Sequence, residues 1–220
     1  MEKRYHTLLF DLDGTLIHSK PGIEECFYYA LTCMENAGRP IRYPEGFYID
    51  SIIGPPLTHS FRRFVETEDD VVLAVKFYRE KYLTTGWTNS NPFAGVADAI
   101  KRLADAGRQL LVATSKMEEL ARDTLIHHGL ARCFDVIAGA SEDDARSSKW
   151  DVIERALTLS GAPREGCVMI GDRMHDMEGA QQAGLDAIGV LWGYGSREEL
   201  GVYRPVLLAQ TPDELAAFLQ

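Results

Sequence analysis

Acidic side chains stand in two short segments of the sequence, each directly after an apolar run. Asp11 and Asp13 follow the apolar run 5–10, and Asp172 and Asp176 follow the run 167–170. Carboxylates that are crowded together repel one another, which raises their pKa values or requires a cation between them. A hard dication held by oxygen atoms is the simplest remedy. If the two segments meet in the fold, they predict an acidic site that binds a hard divalent cation.

Hydroxyl and ammonium groups occur at comparable places. Thr114 and Ser115 follow the run 109–113, and Lys149 stands at the start of a later helical pattern. Thr114 and Lys149 are therefore candidates for hydroxyl and cationic donors at the same edge as the acids. Ser115 is a further candidate, although residues 115–118 also fit a capping box for the next helix. Lys116 and Arg146 are alternative candidates for the cation assigned to Lys149.

Positioning these groups requires a particular order of elements. Short apolar runs predict buried strands, and between them lie helical patterns that each end at a glycine. The runs are 5–10, 109–113, 134–138, 167–170, 187–191 and 206–208, and the helical patterns are 96–106, 117–128, 150–160 and 175–183. This alternation predicts an α/β fold with a doubly wound, Rossmann-like parallel sheet. Because ligands bind beyond the carboxyl ends of such strands, the candidate residues are expected at one edge of the sheet.

One stretch interrupts the alternation. Residues 21–86 show helical periodicity and no convincing buried strand, and they are too long for a simple crossover. We therefore predict an all-helical insertion. The predicted domains are an α/β catalytic core at 1–18 and 87–220 and a helical cap at 19–86.

Composition excludes several classes of protein. The 220 residues include 23 Lys+Arg and 33 Asp+Glu, a formal net charge of −10 that disfavours binding to nucleic acid or to anionic lipid. The 4 cysteines form no C-x-x-C pair and are too few for a secreted disulfide scaffold. No apolar stretch approaches the roughly 18 residues of a membrane span, and the run 5–10 is too short and polar for a signal peptide. We expect a cytoplasmic protein, either a monomer or a homodimer.

The order of these segments resembles the haloacid dehalogenase-like hydrolase superfamily. Its mark is DxDGT after the first strand, Ser or Thr after the second, a Lys further on, and a GDxxxD loop. The sequence contains the DxDGT segment 11–15, then Thr114, Lys149 and the acidic loop 171–176, in that order. The insertion resembles the helical cap of the branch that includes phosphoglycolate phosphatases and 5′-nucleotidases. The resemblance covers essentially the whole chain.

The resemblance implies a role for each matching residue. Asp11 would be the nucleophile that forms an aspartyl-phosphate, and Asp13 would be the general acid and base. Mg²⁺ would be held by Asp11, the main-chain carbonyl of Asp13, and Asp172. Thr114 and Lys149 would bind the transferring phosphoryl oxygens. Asp176 would either order water on the metal or restrain Lys149.

Substrate selection is expected in the cap. A Gly-Pro turn that contains Gly54 and Pro55 resembles a substrate-facing loop, and Arg62 and Arg63 follow it. An arginine there would bind a second anionic group of the substrate, or both arginines would lie on a solvated helix face.

The resulting prediction is a Mg²⁺-dependent phosphomonoester hydrolase that acts on a small phosphorylated metabolite. One alternative is a phosphosugar mutase of the same superfamily, which returns the phosphoryl group to its substrate. Another is a non-enzymatic phospho-acceptor signalling module, which also gathers acids, Thr and Lys at a sheet edge. Such a module is shorter, lacks a long cap and carries its acceptor on a later strand.

Overall fold

The computed structural model describes residues 5–142, 146 and 148–220, and these residues contain eight strands and nine α-helices. The strands are β1 (Thr7–Phe10), β2 (Ile17–His18), β3 (Asn91–Pro92), β4 (Gln109–Met117), β5 (Val136–Ala140), β6 (Cys167–Gly171), β7 (Asp186–Val190) and β8 (Leu207–Ala209). The helices are α1 (Lys20–Asn36), α2 (Leu57–Phe61), α3 (Glu68–Thr84), α4 (Val96–Asp105), α5 (Glu118–His127), α6 (Lys149–Ser160), α7 (Met174–Ala183), α8 (Arg197–Gly201) and α9 (Pro212–Leu219). Three short 3₁₀ helices lie at Ile49–Ile52, Gly86–Thr88 and Ala131–Cys133.

Six of the strands form one parallel sheet in the order β5-β4-β1-β6-β7-β8. The first strand is therefore inside the sheet, where Thr7 is paired with Gln109 of β4 on one side and with Cys167 of β6 on the other. Helices join successive strands, as parallel pairing requires. The predicted α/β, doubly wound, Rossmann-like core is confirmed.

Strand β1 is apolar along its length because both of its faces are covered. Leu8 and Phe10 pack into a core with residues of α4, α5 and α9, whereas Leu9 packs into a second core with residues of α6 and α7. Successive side chains of a strand point to opposite faces, so the run TLLF supplies both cores at once. This double burial fixes the position at which the acidic segment after β1 begins.

Helix α6 has clear signals at both ends. Ser148 is the N-cap, and its hydroxyl accepts a hydrogen bond from the Asp151 backbone N–H at 3.2 Å. Asp151 in turn accepts one from the Ser148 backbone N–H at 3.2 Å, which completes a capping box. The helix ends at Gly161, whose φ of +66° suits a residue without a side chain. The cap sets Lys149 in the first turn of α6.

The structure differs from the sequence prediction in several elements. Strand β4 is longer than the predicted run 109–113 and continues to Met117. The polar residues 114–116 belong to the strand although they break its apolar pattern. The N-cap of α5 is Met117 and has no side-chain cap bond, so the capping box proposed for Ser115 is wrong. The antiparallel pair of β2 with β3 and the helices α8 and α9 were not predicted. The two paired strands have two residues each, which is too short for a periodic pattern.

The chain divides into two compact units, Met1–His18 with Asn91–Gln220, and Ser19–Ser90. The predicted core ranges include residues 1–4, 143–145 and 147, which lie outside the described residues. The second unit extends beyond the predicted 86 because the 3₁₀ helix Gly86–Thr88 packs against α1 and α3. Its interior is aromatic, with the rings of Phe27 and Phe61 stacked at 4.8 Å. In the described part of the chain, no helix is both long and apolar enough to cross a membrane.

Gly139 of β5 provides a test of how the end of β4 is held. A Cβ atom at this position would lie 2.5 Å from the Lys116 carbonyl oxygen and 2.7 Å from the Glu118 nitrogen. Both are backbone atoms that cannot rotate away, so we expect Gly139→Ala to lower the free energy of unfolding by roughly 1–3 kcal/mol. Urea denaturation followed by circular dichroism would measure the change.

Gly201→Ala is the matched control, because a Cβ at position 201 of α8 meets no atom within 4 Å. We expect this variant to be as stable as the wild type or more stable, by up to about 1 kcal/mol. Equal stability of the Gly139 and Gly201 variants would contradict the proposed close packing of β4 and β5.

Candidate active site

Asp11 is placed by the sheet itself. It directly follows β1, its backbone N–H donates to the Ile170 carbonyl of β6 at 2.9 Å, and its side chain is buried. The chain then turns sharply, with Gly14 at φ +96° and its N–H bonded to the Ile17 carbonyl. A side chain at position 14 would overlap the carboxylate of Asp172. The glycine of the DxDGT segment is therefore needed both for the turn and for the approach of the second acidic segment.

Lys149 lies at the centre of the buried charges. Its Nζ donates to Asp11 Oδ1 at 2.6 Å and to the Ala113 carbonyl at 3.2 Å, and it is 2.9 Å from Asp176 Oδ1. These three partners match the three hydrogens of an ammonium group. The sequence alternatives for this cation are engaged elsewhere, because Arg146 bonds the Gly139 carbonyl and Lys116 bonds Asp13. The structure thus brings Lys149, Asp11 and Asp176 together.

The loop after β6 holds the two remaining acids, and both are buried. Asp172 accepts hydrogen bonds from the Thr15 hydroxyl at 3.1 Å and from the Tyr194 backbone N–H at 2.8 Å. Asp176 Oδ2 accepts one from the Arg173 backbone N–H at 3.0 Å, while its other oxygen faces Lys149. Of the two roles left open for Asp176, contact with Lys149 is the one seen in the structure.

Three carboxylates form the candidate metal centre. One oxygen from each of Asp11, Asp172 and Asp176 lies within 4.8 Å of the others. Asp176 belongs to this cluster together with the predicted ligands Asp11 and Asp172. The Asp13 carboxylate faces Lys116, and the assignment of its main-chain carbonyl to the metal stays a prediction. With Asp13 included, carboxylates outnumber lysines at this edge of the sheet. Such an excess of carboxylate oxygens suits a divalent cation.

Burial and mutual repulsion shift the pKa values in this cluster. Burial raises the pKa of Asp11 to about 6, the Lys149 ammonium opposes that rise, and the Asp176 carboxylate adds to it. The pKa of Asp172 is raised well above its usual value by burial and then by the neighbouring carboxylates of Asp176 and Asp11. Burial lowers the pKa of Lys149, but the two carboxylates that contact it outweigh burial and raise it overall. Lys149 therefore stays charged, and the carboxylates favour a cation.

Thr114 and Ser115 lie beyond the point where β4 leaves its partner β1. Thr114 is buried, and its hydroxyl oxygen accepts the Lys116 backbone N–H at 3.2 Å, which leaves the hydroxyl hydrogen to be donated. Ser115 is partly exposed on the same segment of β4. The structure places Thr114 directly after Ala113, whose carbonyl contacts Lys149.

Three contributions to the site were not predicted. Lys116 pairs with Asp13, Thr15 donates to Asp172, and Tyr194 supplies a backbone N–H to the same carboxylate. Lys116 stands two residues after Thr114, and this closeness to a predicted site residue is the sequence signal that could have identified it. The contribution of Tyr194 comes from its backbone, for which residue type gives no signal.

The four cap candidates lie in the second unit. Gly54 and Pro55 form the turn before α2, with Gly54 at φ +103°. Arg62 caps the end of α2 and makes two hydrogen bonds to Glu68, at 2.8 and 2.9 Å. Arg63 donates to Ser51 Oγ at 3.0 Å. Both arginines thus already have partners within their own unit.

A buried carboxylate at the end of the first strand, a lysine and a second acidic loop define a hydrolase site of a known kind. The model of the haloacid dehalogenase-like hydrolase family matches residues 8–190 of this chain. The chain belongs to this family. The predicted enzyme class, a phosphatase of this family, is confirmed, and the non-enzymatic signalling alternative is set aside.

Individual relatives are similar over nearly the whole chain. The tyrosine-protein kinase PtkA of Mycobacterium tuberculosis is 40% identical over 210 residues, which cover 94% of this chain and 70% of the relative. A 5′-nucleotidase of Pseudomonas aeruginosa is 37% identical over 203 residues, covering 92% of this chain and 90% of the relative. The structure of a haloacid dehalogenase-like family hydrolase from Streptococcus pneumoniae matches with a TM-score of 0.88 at 31% identity and covers 100% of both chains.

The raised pKa of Asp11 leads to a prediction about stability. An unfolded Asp titrates near 4, whereas folded Asp11 titrates at about 6, so the folded chain binds the proton more tightly. The stability that this group contributes is present below about pH 4 and is lost as the pH rises through about 6. In chelator at pH 7.5, we expect Asp11→Asn to be more stable than the wild type by about 1–3 kcal/mol.

Urea denaturation at several pH values would measure this difference, which should shrink as the pH falls from 6 to 4. Asp123→Asn is the matched control, because Asp123 is an exposed carboxylate on α5. The electrostatic account would be wrong if Asp11→Asn destabilised the metal-free protein at pH 7.5.

Proposed function

We propose that this chain is a Mg²⁺-dependent phosphomonoester hydrolase that acts on a small phosphorylated metabolite through an aspartyl-phosphate. The observation that carries the proposal is the buried Asp11, whose Oδ1 is held by Lys149 at 2.6 Å. An ion pair at one oxygen orients the carboxylate, so we assign the other oxygen, Oδ2, as the nucleophile. Family membership and the 5′-nucleotidase relative support the same reaction class.

In the first half of the reaction, Asp11 Oδ2 forms a bond to phosphorus as the bond from phosphorus to the leaving oxygen breaks. Asp13 gives its proton to that oxygen, so the product leaves as a neutral alcohol. In the second half, Asp13 takes a proton from water while the water oxygen attacks phosphorus. The acyl phosphate bond breaks, inorganic phosphate leaves and the Asp11 carboxylate is regenerated.

The residues at this edge of the sheet fit a divalent cation. Three buried carboxylates converge within 4.8 Å, and in the wider cluster carboxylates outnumber lysines. We assign Asp11, Asp172 and the Asp13 main-chain carbonyl as ligands, with Asp176 beside them. Bound Mg²⁺ would neutralise phosphoryl charge that otherwise repels an anionic nucleophile. The hydrogen bonds from Thr15 and Tyr194 orient Asp172 for this task.

Thr114 and Lys149 are assigned to the phosphoryl oxygens. The Thr114 hydroxyl already accepts the Lys116 backbone N–H, so its own hydrogen is the donor toward substrate. Lys149 makes three contacts to protein groups, of which the bond to the Ala113 carbonyl, at 3.2 Å, is the longest. We propose that a phosphoryl oxygen takes over this third hydrogen when substrate binds. Ser115 is kept as an additional donor.

Two related reactions are alternatives that one experiment can separate. The name of the mycobacterial relative indicates phosphoryl transfer to tyrosine, and a mutase would return the phosphoryl group to its substrate. The experiment is a screen of phosphorylated metabolites with Mg²⁺ or with chelator, plus ATP with a tyrosine peptide. We expect the release of inorganic phosphate in the presence of Mg²⁺ and not in chelator. Transfer of phosphate from labelled ATP to the tyrosine peptide would favour a kinase, and an isomerised phosphosugar would favour a mutase.

The substrate itself is not assigned beyond its class. The role of Gly54, Pro55, Arg62 and Arg63 in selecting it stays a prediction from the sequence. Arg62 uses Nε and Nη2 in its bonds to Glu68, so Nη1 is the guanidinium nitrogen from which it would contact a ligand while that pair is kept.

The nucleophile assignment predicts the effect of Asp11→Asn. The amide has nearly the volume of the carboxylate but neither its charge nor its nucleophilicity, so we expect turnover to fall by roughly 10³-fold or more. Phosphate release from the best substrate of the screen would measure the loss. The exposed Asp123→Asn should retain full activity, and a comparable activity of Asp11→Asn would refute the mechanism.

The metal assignment predicts the effect of Asp172→Ala. Loss of a ligand should shift the Mg²⁺ activation curve to higher concentration by about tenfold or more. Mg²⁺ should support activity better than Ca²⁺, whose larger and more variable coordination disturbs the geometry of attack. Initial rates over a series of metal concentrations would establish both, with Asp123→Ala as the control. An unchanged curve for Asp172→Ala would remove Asp172 from the ligand set.

A further inference from the structure

Lys116 is the second buried lysine at this edge of the sheet. Its Nζ lies 3.1 Å from both carboxylate oxygens of Asp13, and only 6% of its side chain is exposed. We propose that Lys116 is a positioning residue that holds the Asp13 carboxyl group in place during turnover. This assignment rests on the proposed hydrolase function, in which Asp13 transfers the protons.

The pair limits movement of the Asp13 side chain. One ammonium lies at 3.1 Å from both carboxylate oxygens, so it ties the carboxyl group to the end of β4. Asp13 is 18% exposed, so water does not hold it in place as it would hold a surface acid.

The end of β4 aims Lys116 at Asp13. The register of β4 with β5 shifts between Ala113 and Met117, at the point where the pairing with β1 has already ended. Within this irregular stretch the Lys116 backbone N–H donates to the Thr114 hydroxyl oxygen at 3.2 Å. The proposed phosphoryl donor and the lysine that holds the proton donor are therefore joined by a direct hydrogen bond.

Position matters here because Asp13 acts twice at nearly the same point. It gives a proton to the leaving oxygen and later takes one from water, so its carboxyl group must stay beside the reaction axis in both steps. Misplacement of a reacting group by about 1 Å can cost roughly 100-fold in rate. Because Lys116 acts through Asp13 in this assignment, its loss should lower kcat and leave KM nearly unchanged.

A double-mutant cycle tests whether Lys116 acts through Asp13. Lys116→Met keeps most of the side-chain volume and removes the charge, and Lys116→Arg keeps the charge. With an alkyl phosphate at saturating Mg²⁺, we expect Lys116→Met to lower kcat by roughly 10-fold to 100-fold. In the Asp13→Asn background the same substitution should change kcat by less than about twofold, because the coupled partner is already lost.

Further comparisons separate positioning from general destabilisation. Lys116→Arg should recover part of kcat, and an aryl phosphate with a good leaving group should suffer a smaller deficit than the alkyl phosphate. Lys101→Met, at an exposed position of α4, is the control and should match the wild type. Circular dichroism would verify that each variant folds. The double variant with Lys116→Met and Asp13→Asn removes both charges of the pair, so it leaves no unpaired carboxylate.

Each outcome decides the assignment. The assignment would be overturned if Lys116→Met lowered kcat by the same factor in the wild type and in the Asp13→Asn background. It would also be overturned if Lys116→Met raised KM and left kcat unchanged. A wild type that releases no phosphate from any substrate of the screen would overturn the proposed function and the role of Lys116 with it. An active wild type with additive losses would overturn the role of Lys116 alone.

Discussion

The contact between Lys149 and Asp11 is the interaction on which the site depends. An ionised carboxylate that is buried is unfavourable in the folded chain, and burial raises the pKa of Asp11 to about 6. The ammonium at 2.6 Å keeps the ionised form accessible, and its contact with Asp176 ties the loop after β6 to the end of β1. Without this lysine, the acids would repel one another at the sheet edge.

The fold delivers this contact through elements that are far apart in the sequence. Strand β1 lies between β4 and β6, so the segments that follow these three strands all emerge at one edge of the sheet. The capping box of Ser148 and Asp151 begins α6 at Lys149, which directs the lysine from the helix to that edge. Side-chain position is thus determined by strand order and by one helix start, both of which depend on the two buried cores.

Much of this arrangement could be predicted from the sequence. The apolar runs and the glycine-terminated helices predicted the parallel sheet, and the acids, Thr114 and Lys149 follow from their places after strands or at a helix start. Position in the sequence does not show which charges pair. Lys116 lies two residues after the predicted Thr114, but the direction of its side chain depends on β4 continuing past its apolar residues. Likewise, the prediction that Ser115 caps a helix was wrong. Residues 114–116 belong to β4, although their side chains favour the start of a helix.

Glycines in two distant loops show that the site is constrained by space as much as by charge. A side chain at position 14 or 193 would overlap the Asp172 carboxylate, and one at position 195 would overlap the Asp172 carbonyl. The backbone must therefore approach this acid from both sides, which is how the Tyr194 N–H reaches it at 2.8 Å. A backbone donor in such a loop cannot rotate away as a side chain can, so Asp172 is held in one orientation before any ligand binds. Lys149 contacts Asp11 and Lys116 contacts Asp13, so each of the three acids has fixed protein partners in the structure.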